Sequence, residues 1–207
     1  MGYKSTISDW LLSCPQSKDE YSLDRQAKKI RRKLKASGVG ERPIVWVTHS
    51  MGGLITKKIL ANFDPDELVA STEGIIFYSV PHLGSPIATH SEKASYIVFP
   101  SIEVNELSEN SPQLMQLHER FTKLLASRPD IECVDFGETV PMSFLPMLKT
   151  LVVPQSSSDV GYGRFLLAEA DHQNICKPIS KEDLRYLEVD KMIKKIESKH
   201  FSFRGHK

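Results

Sequence analysis

Cysteine is scarce in this chain, which has three cysteines in 207 residues, at positions 14, 133 and 176. They lie far apart and form neither a C-x-x-C pair nor a spacing typical of metal ligands. The sequence therefore gives little support to a disulfide framework or to a zinc site, and we predict no bound metal. A reducing compartment is the simplest expectation.

Long apolar runs are also lacking. No segment approaches the roughly eighteen apolar residues of a membrane-spanning helix, and the opening residues, MGYKSTISDW, contain no apolar stretch typical of a signal peptide. We therefore expect that this chain carries neither a transmembrane segment nor a secretion signal. We also expect the protein to be intracellular.

An excess of charge of either sign is missing as well. The 27 lysines and arginines nearly balance the 26 aspartates and glutamates, which leaves a formal net charge of +1. This balance creates no general field that would attract nucleic acid or an anionic surface. We predict no nucleic-acid partner, and any charged partner has to be inferred from a local patch.

One strongly basic patch is present at residues 23–35. Apolar residues recur there at helical spacing while lysine and arginine fill the other positions, which predicts a basic amphipathic helix. A solvated helix face is the simpler interpretation. The alternative is peripheral contact with acidic lipid headgroups, to which each basic residue near the surface contributes about 1 kcal/mol.

Apolar residues make up 40% of the chain, enough to bury a core, and we predict a single domain over residues 1–207. Segments rich in β-branched residues predict strands at 44–47, 74–80, 131–136 and 148–153. Helical patterns alternate with them, which predicts an α/β fold with a mainly parallel sheet. The first strand is apolar on both faces, as expected of a buried parallel strand.

Three helical segments accompany these strands. The helix after the first strand carries Ile55, Ile59 and Phe63 on one face and is expected to end at Asp64-Pro65. A mostly helical insertion at about 87–127 is predicted to cap the strand ends, with a helix opening at Ser111-Pro112. The last helix is predicted to begin near Ser180, in a capping box with Asp183, and to direct four apolar residues inward: Leu184, Leu187, Ile193 and Ile196.

The segment WVTHSMGGL at 46–54 carries the strongest chemical signal. A strand, a tight turn and a helix are predicted around it, which is the context that presents the serine of G-x-S-x-G in α/β-hydrolases. We predict Ser50 as nucleophile and the amide of Met51 as an oxyanion donor, while Gly52 and Gly53 remove side chains where the turn folds back. Thr48 stands where the first glycine is usual and requires a slightly more open turn.

The base and the acid follow from the order serine, acid, histidine in this fold. That order selects His172, because it lies in a loop between the last predicted strand and the last helix. His49, beside the nucleophile, is expected to point away from it. The acid stays open between Glu138, at the end of the third strand and favoured for that position, and Asp159, in the polar stretch after the fourth strand.

Five segments together resemble the serine-active-site-containing protein 1 family, whose members are α/β-hydrolase proteins with a lipase-type serine motif: THSMGGL, GIIFYSVPHLGS, SIEVNELSENSP, VVPQSSSD and DHQNICKP. The resemblance covers residues 3–198 or so and implies Ser50 as nucleophile and His172 as base. It does not settle the acid. It also implies phosphatidylglycerol remodelling and intracellular cholesterol trafficking at contacts between mitochondria and endoplasmic reticulum.

Few residues precede the strand of the predicted nucleophile, whereas an α/β-hydrolase places several strands before it. We therefore expect the chain to correspond to the carboxy-terminal part of a longer protein, truncated before the turn that supplies a second oxyanion donor, and to turn over esters poorly by itself.

Two functions remain open. One is a serine acyl hydrolase or acyltransferase acting on phospholipid, which needs no metal or organic cofactor. The other is a hydrolase-fold interaction module without catalysis, acting at membrane contact sites. Reactivity of Ser50 distinguishes them, because only an activated serine reacts readily with fluorophosphonates.

Overall fold

The computed structural model describes residues 22–63, 66–90, 104–145 and 148–201. In that part of the chain the helices are α1 (Leu23–Ala36), α2 (Met51–Ala61), α3 (Glu67–Ala70), α4 (Pro86–His90), α5 (Pro112–Ser127), α6 (Gln155–Ser158) and α7 (Leu184–Phe201), with a 3₁₀ turn at Val104–Leu107. The strands are β1 (Ile44–His49), β2 (Thr72–Tyr78), β3 (Glu132–Glu138), β4 (Met142–Leu145), β5 (Leu148–Thr150) and β6 (Arg164–Ala168).

A four-stranded sheet in the order β1-β2-β3-β6 forms the centre, and its strands are all parallel, which confirms the predicted mainly parallel sheet. Parallel neighbours need crossover connections, and α2 provides one between β1 and β2 while α5 lies between β2 and β3. Because parallel strands end at the same edge, the residues that follow them lie together there. Ser50, Glu138 and His172 all belong to this edge.

The first three predicted strands are confirmed, with ends within two residues of those observed. The fourth prediction was wrong. Only Leu148–Thr150 is a strand there, and it pairs with β4 in a separate antiparallel hairpin. Val152 and Val153 are buried, but their amides donate to a carboxylate instead of a strand. The fourth strand of the sheet is β6, which was not predicted from the sequence.

Helices cover both faces of the sheet. Alternation along β2 sends Ile75 and Phe77 to the face that carries α1, α2 and α5, and Ile76 and Tyr78 to the face that carries α7. Phe121 of α5 is fully buried in the first of these layers. This part of the predicted insertion is therefore a crossover helix of the sheet. Residues 91–103 lie outside the described residues, and the cap stays a prediction there.

Strand β1 lies at the edge of the sheet in the part of the chain that the structure describes. The prediction that both of its faces are buried was wrong for that part, because the Val47 side chain is 54% exposed. In α2, burial of Ile55 and Ile59 is confirmed. The helix ends at Ala61, so Phe63 follows it instead of extending its buried face.

The inward face of α7 differs from the predicted one. Leu184, Leu187 and Ile193 are substantially exposed, whereas Arg185, Glu188 and Met192 are buried, and of the four predicted apolar residues only Ile196 packs against the core. The apolar pattern predicted the wrong buried face because two inward positions carry charged residues. Arg185 pairs with Asp183, and Glu188 pairs with Arg164. The helix begins at Leu184, after the predicted start near Ser180.

Helix α1 confirms the predicted basic amphipathic helix. Its apolar face packs on α2 with Leu23 and Ala27 fully buried. Asp66 pairs with Arg31 and, at 3.0 Å, with Lys35. The outward face carries a group of exposed basic residues: Arg25, Lys28, Lys29, Arg32 and Lys33. Among the described residues, none of the helices combines the length and the apolar character that crossing a bilayer requires.

Candidate active site

Ser50 lies on a sharp turn between β1 and α2. Its φ is 51° and its ψ is −131°, a left-handed conformation that is strained for a residue with a side chain. The turn is held because the Ser50 amide donates to the Tyr78 carbonyl at 2.9 Å and the Gly53 amide donates to the Ser50 carbonyl at 3.0 Å. This strained strand-to-helix turn is the geometry expected of a nucleophile elbow.

The residues around Ser50 explain how the motif tolerates a threonine. The Thr48 hydroxyl donates to the Ile76 carbonyl at 2.9 Å, so its larger side chain is accommodated by a bond to the neighbouring strand. Gly53 is sterically required, because a Cβ there would lie 2.3 Å from Val80 Cγ2. A Cβ at Gly52 would meet no atom of the described structure within 4 Å. The predicted steric role therefore holds for Gly53 alone.

His172 lies in the loop between β6 and α7, and the structure brings it to Ser50. Its Nε2 atom is 2.8 Å from the Ser50 Oγ, and the side chain is buried. Two contacts hold the loop: His49 Nε2 lies 2.7 Å from the His172 carbonyl oxygen, and the Arg185 guanidinium donates to the Asn174 carbonyl at 2.9 Å. The contact of His49 with the base loop was not foreseen, since nothing local in the sequence shows which loop a turn residue will face.

Glu138, at the end of β3, contacts the other nitrogen of the base. Its Oε2 lies 2.6 Å from His172 Nδ1. Its Oε1 accepts from the amides of Val152, at 2.5 Å, and Val153, at 3.1 Å. Ser79 donates its hydroxyl to Oε2. These hydrogen bonds give both carboxylate oxygens partners and fix the orientation of the carboxylate. Ser79 and the two amides were not predicted as partners of the acid, because they come from segments distant in sequence from Glu138.

Asp159, the alternative acid, and Met51, the predicted oxyanion donor, are the remaining residues of the predicted site. Asp159 is exposed and follows α6, where its amide donates to the Gln155 carbonyl at 2.8 Å. Its carboxylate is therefore not the one that meets His172. Met51 is the first residue of α2. The first amides of a helix have no partner within it, so the Met51 amide is suitably located to bind an oxyanion.

A second buried polar network joins α2, the loop after β2 and β3. Lys57 Nζ lies 3.2 Å from His82 Nδ1, and His82 Nε2 lies 3.0 Å from Asp135 Oδ1. Lys57 and His82 are fully buried, and the Lys57 ammonium lies 4.8 Å from the centroid of the Tyr162 ring. Burial lowers the pKa of Lys57 and raises that of Asp135, because it disfavours either charge.

A parallel sheet with a serine on a strained turn after one strand, a carboxylate at the end of a second and a histidine after a third defines an α/β-hydrolase fold. Solved structures support this assignment of the fold. The mature lipase BlEst2 of Bacillus licheniformis superposes with a TM-score of 0.58 over 84% of this chain and 74% of the lipase, at 16% identity. The phospholipase PlaB of Legionella pneumophila gives a TM-score of 0.50 over 59% of this chain and 29% of that protein, at 15% identity.

Curated proteins give a more specific similarity, although no family model matches the chain. The chain is 47% identical to Protein SERAC1 of Danio rerio and 42% identical to Protein SERAC1 of Homo sapiens, each over 188 residues and 89% of this chain. It spans 28% of the length of each of these relatives. The chain is homologous to a carboxy-terminal part of the proteins named SERAC1, which confirms the family resemblance predicted from its motifs.

Proposed function

We propose that this chain carries the catalytic centre of a serine acyl hydrolase or acyltransferase that acts on lipid esters. The observation that supports this most directly is the series of contacts from Ser50 Oγ to His172 Nε2, at 2.8 Å, and from His172 Nδ1 to Glu138 Oε2, at 2.6 Å. Nucleophile, base and orienting acid need this order and these distances for proton transfer.

In the first half of the proposed reaction Ser50 Oγ attacks the carbonyl carbon of an acyl ester. His172 Nε2 takes the hydroxyl proton, and the Glu138 carboxylate stabilises the imidazolium that forms. Negative charge develops on the former carbonyl oxygen, and the Met51 amide at the start of α2 donates to it. The tetrahedral intermediate then collapses, and His172 returns the proton to the departing alcohol oxygen.

The second half releases the acyl group from Ser50. Water or the hydroxyl of an acceptor lipid attacks the acyl-enzyme, His172 takes its proton, and the acyl group leaves as a fatty acid or as a new ester. His172 finally returns the proton to Ser50 Oγ. The described residues supply a nucleophile, a base and an acid, so these steps need no metal or organic cofactor.

Phospholipid is the substrate class that we propose. Among the structural neighbours are proteins named as a lipase and as a phospholipase, which are enzymes that act on lipid esters. The family resemblance points more narrowly to phosphatidylglycerol remodelling with a consequence for cholesterol trafficking, at contacts between mitochondria and endoplasmic reticulum. The exposed basic face of α1 would favour peripheral contact with an anionic membrane of this kind.

Labelling with a fluorophosphonate tests the proposal, because only an activated serine reacts quickly with it. The chain should be labelled at Ser50, and Ser50→Ala should abolish labelling while the melting temperature stays nearly unchanged. Ser158→Ala, which changes another buried serine, should be labelled like the parent chain. A folded parent chain that resists the probe would contradict the proposal and favour a non-catalytic interaction module.

The lipid substrate is tested separately. Vesicles of phosphatidylglycerol would be incubated with the parent chain and with Ser50→Ala, and the products followed by mass spectrometry. Free fatty acid that appears only with the parent chain would show hydrolysis, and a change in acyl composition without free acid would show transfer. Labelled protein that leaves phosphatidylglycerol unchanged but releases fatty acid from vesicles of another phospholipid would contradict phosphatidylglycerol as the substrate.

A further inference from the structure

A second serine contacts the proposed acid. Ser79 directly follows β2 and is fully buried. Its hydroxyl donates to Glu138 Oε2, the same oxygen that lies 2.6 Å from His172 Nδ1. The Ser79 oxygen itself lies 3.3 Å from His172 Nδ1. Serine, carboxylate and imidazole therefore form a closed triangle on the side of His172 that faces away from Ser50.

The backbone at Ser79 is unusual for a serine. Its φ is 47°, in the left-handed region, and its amide donates to the Phe136 carbonyl at 2.7 Å. Glycine adopts this conformation without strain, whereas a residue with a Cβ is strained there by about 1–3 kcal/mol. Any side chain at this position therefore strains the backbone. The serine hydroxyl nevertheless makes a hydrogen bond to the acid, Glu138.

The end of β2 also contacts the nucleophile. The Tyr78 carbonyl accepts the amide of Ser50 at 2.9 Å, and the next residue donates its hydroxyl to Glu138. Tyr78, the last residue of β2, thus fixes the turn that carries the nucleophile, and Ser79, the next residue, contacts the carboxylate that orients the base. A displacement at Ser79 would therefore move both the Ser50 turn and the Glu138 carboxylate.

We propose that Ser79 is a positioning residue of the Ser50–His172–Glu138 series. Its hydroxyl fixes the rotation of the Glu138 carboxylate so that Oε2 faces His172 Nδ1, while the amides of Val152 and Val153 hold Oε1. Ser79 acts through the acid and does not touch substrate. The consequence for catalysis rests on the proposed function, whereas the effect on the imidazole does not.

The first test is the rate of fluorophosphonate labelling at Ser50. Ser79→Ala removes the hydroxyl and keeps the backbone strain, and Ser79→Gly removes both. Each should label roughly ten- to a hundredfold more slowly than the parent chain, as expected for loss of a hydrogen bond to a charged group. If Ser79→Gly were labelled at the parent rate, the Ser79 hydroxyl would not be needed for reactivity once the backbone strain is removed. That result would overturn the proposal.

A double-mutant comparison separates positioning from general damage. In a Glu138→Gln background Ser79→Ala should slow labelling by no more than about twofold, because a group that acts through Glu138 loses its effect without the carboxylate. A full additional loss in that background would overturn the proposal. Thr72→Val removes another buried hydroxyl, at the far end of β2, and should label like the parent chain.

A second measurement does not depend on reactivity. The proton on His172 Nδ1 can be followed by NMR through its resonance and its exchange with water. Ser79→Ala and Ser79→Gly should shift this resonance and speed the exchange, and Thr72→Val should do neither. If the parent chain resists the phosphonate, the proposed function fails while this measurement still decides the role of Ser79. An unchanged resonance in both Ser79 variants would overturn it.

Discussion

The Nε2 atom of His49 lies 2.7 Å from the carbonyl oxygen of His172, so the residue beside the proposed nucleophile also holds the loop of the proposed base. The ring centroids of the two histidines are 4.9 Å apart. Burial, and then the charge on His172, lowers the pKa of His49 from 6.5 to about 4. Neutral His49 with its proton on Nε2 can donate this bond, and its protonation would place a buried positive charge beside the base.

This relationship predicts acid sensitivity of the fold. A histidine whose pKa is lower in the folded than in the unfolded chain stabilises the fold fully above the unfolded value, and that stability is lost as the pH falls from 6.5 towards 4. The difference corresponds to about 3 kcal/mol. His49→Gln keeps a donor but cannot titrate, so its free energy of unfolding should fall less than that of the parent chain over this range.

Chemical denaturation at several pH values measures the difference between the parent chain and His49→Gln. The comparison cancels other titrating groups, including the fully buried His82, whose pKa burial also lowers. Parallel pH profiles for His49→Gln and the parent chain would contradict the prediction.

The acid is predicted to be Glu138. Loss of the orienting carboxylate in a serine triad lowers turnover by about four powers of ten, because the histidine then adopts the wrong tautomer. Glu138→Gln should therefore nearly abolish phosphonate labelling at Ser50. Asp159→Asn, at an exposed position, should have little effect. Initial labelling rates give the comparison, and the reverse ranking would assign the role to Asp159.

The two glycines after Ser50 are predicted to differ. Gly53→Ala places a Cβ against Val80 and pushes α2 away from the end of β2, which should destabilise the fold by about 1–3 kcal/mol. Gly52→Ala meets no described atom within 4 Å and should be neutral or stabilising, since alanine is the better helix former by about 1 kcal/mol. Melting temperatures of both variants test this. Equal destabilisation would mean that the Gly53 contact does not limit packing.

The nucleophile turn could be predicted from sequence because its signals are local. An apolar strand, a serine, two glycines and an amphipathic helix follow one another within residues 44–61. The acid could not be chosen in this way. Its surroundings are formed by Ser79 and by the amides of Val152 and Val153, which come from two distant segments. Only the folded sheet shows that these groups converge on Glu138.

The errors in the fold have a similar origin. The apolar run at 148–153 looks like a strand, but Val152 and Val153 are buried around the acid and not in the sheet. In α7 the buried positions include Arg185 and Glu188, whose charges are paired. Apolar periodicity cannot reveal a buried position that carries a paired charge, because the partner is distant or set by the turn before the helix.

The basic face of α1 is predicted to bind anionic vesicles. Replacing Lys28, Lys29 and Arg32 by glutamine should weaken flotation with phosphatidylglycerol vesicles at low salt, by about 1 kcal/mol per residue. High salt should weaken the parent chain similarly, because it screens exposed charges. The control replaces Lys191, Lys194 and Lys195 of α7, which changes the net charge equally. Equal flotation of the two triple variants would leave the α1 face without a specific role.

The buried network of Lys57, His82 and Asp135 is predicted to act as one unit. Lys57 lies within hydrogen-bond distance of His82 and His82 of Asp135, so the imidazole links the two ends of the network. Lys57→Met or Asp135→Asn alone leaves a buried polar group without its partner and should destabilise the fold by about 1–3 kcal/mol. The double variant removes both ends of the network, so its loss in free energy of unfolding should be clearly smaller than the sum of the two single losses. Denaturation in urea measures all three variants. Strict additivity would show that Lys57 and Asp135 are not coupled through His82.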